Sequence, residues 1–184
     1  DVENKVVIFT GTGDEFIAKR EPRPAPTVPP KVWDGTYWEG KRLLMNLLDI
    51  EVPMIAAVNG PAPVHAEMAV LCDIVLAAEH AVFQDAVHMS RGVAPADGVH
   101  VVWPLLLGPN RGRYFLLTSQ KLSAREALEL GVANEVLPKD RLMDRAWELA
   151  RDLADKPPLT LRYARVALVQ RLKRALLDDL GYGL

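Results

Sequence analysis

Met54-Ile55-Ala56-Ala57-Val58-Asn59-Gly60-Pro61 is the stretch on which the fold turns. Five apolar residues in succession, closed by Asn-Gly-Pro, fit a strand covered on both faces, as in a parallel sheet flanked by helices. A strand with one face in water would alternate polar and apolar residues instead. Upstream, Thr36 to Ile50 reads as an amphipathic helix ended by Pro53. Leu43, Leu44, Leu47 and Leu48 share one face, with Glu39, Lys41 and Arg42 elsewhere. Downstream, His65 to Leu71 fits one or two helical turns, Ile74 to Ala78 a second buried strand, and Ala81 to Gln84 a short one. Near the start, Val6 to Thr10 is a strand closed by Gly11-Thr12-Gly13. Between it and the helix, five prolines in the ten residues from Glu21 to Pro30 predict a loop. Strands separated by helices define a layered α/β protein.

The last third is mostly helical. Ser123-Ala124-Arg125-Glu126 fits a capping box opening a short helix that Gly131 terminates. Asp140 is placed to cap a helix running to about Asp155, stopped by Pro157-Pro158. Leu159 to Leu180 then reads as one long helix covering another element or another subunit. The first residue is Asp and the last four are Gly181-Tyr182-Gly183-Leu184, so a processed or truncated chain is expected.

Composition narrows the function classes. The 184 residues carry a net charge of −2, with 49% apolar and 25% charged residues, as in an ordinary globular domain. That balance gives no electrostatic reason to expect nucleic acid. No apolar run spans a bilayer, and no signal segment opens the chain, so a soluble, cytoplasmic domain is expected. The single Cys72 makes no internal disulfide, cannot alone hold a structural zinc, and in its apolar setting reads as an inert buried thiol.

Four histidines remain: His65, His80, His88 and His100. Their spacing lacks the paired ligands of a metal helix, so no metal is expected. Gly11-Thr12-Gly13 lacks the further residues of a phosphate cradle, and no Gly-x-Ser-x-Gly elbow occurs. Acid–base chemistry by imidazole and carboxylate is left. His88 lies in the loop Asp85-Ala86-Val87-His88-Met89, and Asp97 at a helix start, Pro95-Ala96-Asp97-Gly98. A carboxylate that fixes one imidazole nitrogen leaves the other to take a proton from water. The plainer alternative makes Asp97 an N-cap and His88 a surface residue. His80 reads as exposed in a turn, His100 as a packing or capping residue, and Arg111 and Arg113 as ion-pair partners.

Taken together, Ile55-Ala56-Ala57-Val58-Asn59-Gly60-Pro61, Cys72 to Ala78, Phe83-Gln84, Ser123 to Ala127 and Gly131 to Val136 resemble the crotonase (enoyl-CoA hydratase/isomerase) superfamily. The resemblance implies a spiral of strand–strand–helix units with C-terminal helices that pack into a homotrimer or a dimer of trimers. Residues 1–122 would form the spiral core, incomplete at its start, and residues 123–184 the helical trimerisation region. Glu67 matches the first family glutamate, but the stretch before it, Ala62-Pro63-Val64-His65-Ala66, lacks the glycines of acyl-CoA-using members. The second glutamate position is occupied by His88. The segment Phe16 to Glu21, which would supply a second oxyanion donor, is also unlike theirs.

These departures, with Val99-His100-Val101-Val102-Trp103-Pro104 and Gly108 to Thr118, resemble the β-diketone hydrolase branch typified by 6-oxocamphor hydrolase. That branch cleaves a carbon–carbon bond between two carbonyls by a retro-Claisen reaction, with no cofactor and no coenzyme A. The implied catalytic set is His88 with Asp97 to activate water, His65 to stabilise the oxyanion or enolate, and Glu67 to position His65 or protonate carbon. Trp38 and Trp103 would line an apolar substrate pocket, with core packing as their plainer role. The partner would be a small-molecule diketone, with neither nucleic acid nor membrane. Two other readings stay open: an acyl-CoA hydratase or isomerase with a rearranged site, and a non-catalytic paralogue kept as an assembly subunit.

Overall fold

The computed structural model describes residues 3–17 and 29–179. Its centre is a parallel sheet of β1 (Val7–Thr10), β2 (Met54–Val58), β3 (Ile74–Ala78) and β6 (Glu135–Leu137), in the order β1-β2-β3-β6. All five residues of β2 are buried. Met54, Ala56 and Val58 face one cluster with Ala69, Phe83, Trp103 and Phe115. Ile55 and Ala57 face another with Leu142, Ala146 and Ala150. The unbroken apolar run is thus a strand packed on both sides, as its composition requires. Helix α6 (Lys139–Ala154) supplies the second face, lying against β1, β2 and β3.

On the first face lie α2 (Glu67–Val70) and the paired helices α3 (Val99–Leu107) and α4 (Pro109–Thr118). Helices α3 and α4 approach so closely that a Cβ on Gly112 would stand 2.5 Å from the Cα of Pro104. A two-stranded antiparallel ribbon joins β4 (Val82–Phe83) to β5 (Leu122–Ser123), and α5 (Ala124–Glu129) follows. Ser123 and Glu126 form the expected capping box in full. An outer layer comprises α1 (Pro30–Asp49), α7 (Pro158–Leu168) and α8 (Gln170–Asp179), where Leu44, Leu48, Val169 and Leu176 share a core with Leu71 and Val101.

Four sequence expectations change. Helix α1 begins at Pro30, not Thr36, because proline is compatible with a first helical turn. Asp140 is not the N-cap of α6: Pro138 holds that position, and Asp140 sits in the first turn, where its charge suits the helix dipole. The long C-terminal helix is interrupted at Val169, which is buried, giving α7 and α8. Strand β6 went unread, a three-residue segment whose register comes from pairing with Leu76, Ala77 and Ala78. It lies within 123–184, so that region also completes the sheet, and the boundary at 122 falls inside β5. Most of the proline-rich loop and the segment Ala18 to Glu21 lie outside the described residues.

The fold is fastened beyond its sheet by two polar networks. Asn59 accepts from the Gly11 N–H at 3.1 Å and donates to the Gly13 carbonyl at 2.9 Å, joining the turns after β1 and β2. Only glycine fits at position 60, where a Cβ would stand 1.9 Å from the Asp14 carbonyl oxygen. Arg165 of α7 is buried; it donates to the Ile50 carbonyl at 3.0 Å and the Leu47 carbonyl at 3.1 Å, and pairs with Asp73. Asp73 in turn accepts from the Met54 N–H at 2.7 Å. One guanidinium therefore ties the end of α1 to the start of β2 and to the outer helices.

Candidate active site

Two loops are stitched together beside the carboxyl end of β2. Residue Ala62 pairs with Phe83 in a parallel bridge, accepting from the Gln84 N–H at 3.2 Å and donating to the Val82 carbonyl at 2.7 Å. The Ala86 N–H donates to the Pro63 carbonyl at 2.9 Å. The loop that follows β2 and carries His65 is thereby held along the loop that follows β4 and carries His88. Sites in parallel α/β sheets commonly form just beyond the carboxyl ends of strands.

His88 opens a single 3₁₀ turn, Met89–Arg91, closed by Gly92 at φ 67°. Its carbonyl accepts from the N–H groups of Arg91 and Val93, each at 3.0 Å, so the backbone at the imidazole is fixed. Asp97 precedes Gly98, whose φ of 112° no ordinary side chain adopts easily and which is the N-cap of α3. Asp97 therefore stands one residue outside the helix, where the Val99 N–H helps hold its carboxylate charged. His65, next to the N-cap Ala66 of α2, has a positive φ of 52°, a rare left-handed conformation for a non-glycine residue.

Side chains converge from these loops. His88 is buried, with Nδ1 2.8 Å from both carboxylate oxygens of Asp85 and Nε2 3.2 Å from Asp97 Oδ2. Glu67, also buried, lies 2.8 Å from His65 Nδ1 through Oε1. His65 acts electrostatically on Asp97, so the two histidine–carboxylate pairs form one cluster. Burial would depress the His88 imidazole, but the hydrogen bonds and charges of Asp85 and Asp97 outweigh it and push it up to about 10. Burial would raise Asp97, while His88, then His65 and the Val99 N–H, hold it below the usual carboxylate value.

The sequence-predicted residues His65, Glu67, His88 and Asp97 are thus brought together. Asp85 was read as part of the loop but not as a partner of His88. Its three-residue spacing from His88 was the available signal, and the loop geometry that turns it inward was not. Trp38 stands half-exposed on α1. Trp103 is wholly buried against Phe115, with ring centroids 4.3 Å apart, and its indole N–H has no hydrogen-bond partner among the described residues. His80 is exposed, and His100 faces the Asp179 carbonyl at 3.3 Å. The Arg111 guanidinium lies over the Tyr114 ring rather than in an ion pair of the site. Burial pushes the Cys72 thiol up to about 12, consistent with an inert residue. Among the described residues no three His, Cys, Asp or Glu side chains are placed to hold a metal ion.

Comparison with known proteins defines the family. The family model for enoyl-CoA hydratase/isomerase matches residues 1–181, and the chain belongs to that family, within the crotonase superfamily. A solved β-diketone hydrolase from the cyanobacterium Anabaena sp. PCC 7120, bound to (S)-3-oxocyclohexyl acetic acid, is 56% identical. It superposes with a TM-score of 0.95 over 100% of this chain and 74% of its own. An enoyl-CoA hydratase subunit from Geobacillus kaustophilus HTA426 is 32% identical, with a TM-score of 0.79, over 96% of this chain and 69% of its own. The carnitinyl-CoA dehydratase of Salmonella enteritidis PT4 is 34% identical over 88% of this chain. The chain spans 62% of that relative's length.

Proposed function

We propose that this chain belongs to a hydrolase that cleaves a carbon–carbon bond of a cyclic or bicyclic β-diketone by a retro-Claisen reaction, giving a keto acid. The observation that carries the reading is the His88–Asp97 contact at 3.2 Å, in a loop where the family resemblance implies a glutamate. The likeness to the Anabaena β-diketone hydrolase supports it. The pair activates water for attack on one carbonyl; general-base assistance of this kind contributes roughly 10²–10⁴-fold. His65, with Nδ1 held by Glu67, donates to the oxyanion and then to the enolate, a role worth about 3 kcal/mol per donor in a dry site. Departure of the enolate breaks the carbon–carbon bond, and protonation at carbon completes the keto acid. Of the two tryptophans, Trp38 is exposed enough to serve as an apolar wall, whereas Trp103 is wholly buried in the core.

No cofactor enters this reaction, and its partner is the diketone alone. None of the described helices is long and apolar enough to cross a membrane; we place the protein in the cytoplasm. Assembly as a homotrimer or dimer of trimers would cover apolar side chains left exposed on the outer helices, among them Leu159, Tyr163, Leu168 and Leu177. Loss of the enol absorbance of a cyclic 1,3-diketone tests the activity. The expected result is turnover by the unaltered protein that falls at least a hundredfold in His88→Ala and Asp97→Asn. Saturable binding of a CoA thioester without diketone turnover would favour an acyl-CoA hydratase or isomerase instead.

A further inference from the structure

The reading above leaves open which atom of the His88–Asp97 pair accepts the water's proton, and the local geometry decides it. Both ring nitrogens of His88 already face carboxylates: Nδ1 lies 2.8 Å from each oxygen of Asp85, and Nε2 lies 3.2 Å from Asp97 Oδ2. An imidazole held between two anions donates from both nitrogens and offers no lone pair to water. Asp97 differs. One oxygen faces His88, while Oδ1 is buried and has no hydrogen-bond partner among the described residues, although the side chain as a whole remains a third exposed, at 33%. A buried carboxylate oxygen without a donor is an acceptor that a water molecule would satisfy.

We propose that Asp97 Oδ1 takes the proton from the attacking water, that His88 works as a charged imidazolium anchoring Asp97, and that Asp85 is the positioning residue that keeps His88 in that form. The roles expected for a histidine base and an orienting aspartate are thereby exchanged. Water bound at Oδ1 gives one proton to Asp97 as its oxygen bonds to a carbonyl carbon, and the carbonyl electron pair moves onto oxygen beside His65. Collapse of that adduct forms the carboxyl group and releases the electron pair of the broken carbon–carbon bond as an enolate. The proton on Asp97 returns to the enolate carbon, so diketone and water are consumed and keto acid is formed with no net proton change in the protein.

Among the described residues, the charged groups acting on this unit are histidines and carboxylates. Asp85 and Asp97 act on His88; His88 and His65 act on Asp97, and Glu67 holds His65. Arg91 on the 3₁₀ turn, with Arg111 and Arg113 on the neighbouring α4, is exposed. The elevation of His88 to about 10 agrees with an imidazolium that persists through neutral pH.

The inference rests on the hydrolase reading, and two measurements on the intact chain separate their fates. Histidine ¹⁵N and ¹³C resonances, followed against pH, should show His88 doubly protonated at pH about 8, with a midpoint that falls by one to three units in Asp85→Asn, since an opposite charge at hydrogen-bond distance shifts a group by about that much. A neutral His88 at pH about 7, or an unmoved midpoint in the variant, overturns the proposal. In diketone turnover, kcat should stay flat from pH about 6 to 9, because Asp97 is ionised throughout. Asp85→Asn should lower kcat tenfold or more at pH about 9 and above, where His88 has lost its charge and no longer anchors Asp97 as an imidazolium. A kcat that climbs tenfold per pH unit toward 10, or that rises in Asp85→Asn, leaves hydrolysis standing and overturns Asp97 as the acceptor. A protein that turns over no diketone at any pH overturns the hydrolase reading and the acceptor assignment with it.

Discussion

His65 shows at the scale of one residue how function and local strain meet. Its φ of 52° costs an L-residue about 1 kcal/mol or more, and a glycine there would remove that cost. The conformation places the imidazole beside Glu67 and within electrostatic reach of Asp97. His65→Ala and His65→Gly both remove the imidazole and its bond to Glu67, so they should lose activity equally. The glycine variant should be the more stable of the two by about 1 kcal/mol in urea unfolding, because it alone adopts the left-handed backbone freely. Equal stabilities would mean that the backbone at this position relaxes once the side chain is gone. His88 and Asp97 were recognisable in the sequence from their residue types and their places after a strand and before a helix. Asp85 was not, because its role depends on a bend that turns residues three apart toward each other. Nor could the sequence show that both nitrogens of His88 are occupied.

At the scale of elements, local chemistry was readable where it is self-contained. Strands β2 and β3 have the bounds that their apolar runs imply, and the capping box at Ser123 contains both of its reciprocal hydrogen bonds. What the sequence concealed is set by neighbours. Val169 interrupts the last helical stretch without glycine or proline, and is buried with Leu44, Leu48 and Leu176. Arg165 looked like one of many helical arginines, yet it is buried against Asp73 and the carbonyls of Leu47 and Ile50. Removing one member of a buried charge pair typically costs about 3–5 kcal/mol. Arg165→Met should therefore lower the free energy of unfolding by about 3 kcal/mol, measured by denaturant titration. A loss below about 1 kcal/mol would show that the carbonyls and Asp73 find other donors.

For the whole molecule, the parallel sheet is a platform and the chemistry lies on the loops beyond it. The bridge between Ala62 and Phe83 brings those loops together and so sets the distance between the two histidine–carboxylate pairs. The same frame serves relatives named for acyl-CoA chemistry, and in this chain imidazoles stand at positions 65 and 88 of the two loops. The exposed leucines and tyrosine of the outer helices argue for association with further copies. Size-exclusion chromatography with light scattering should give a mass that is a multiple of three chains, and a monomer at micromolar concentration would contradict that assembly. The most direct test of the central claim is mass spectrometry of a cyclic 1,3-diketone after incubation with the intact protein and with Asp97→Asn. The account predicts a ring-opened keto acid heavier than the substrate by one water, formed by the unaltered protein and lost in the variant. Recovery of the diketone unchanged with the unaltered protein, or equal ring opening by the variant, would contradict it.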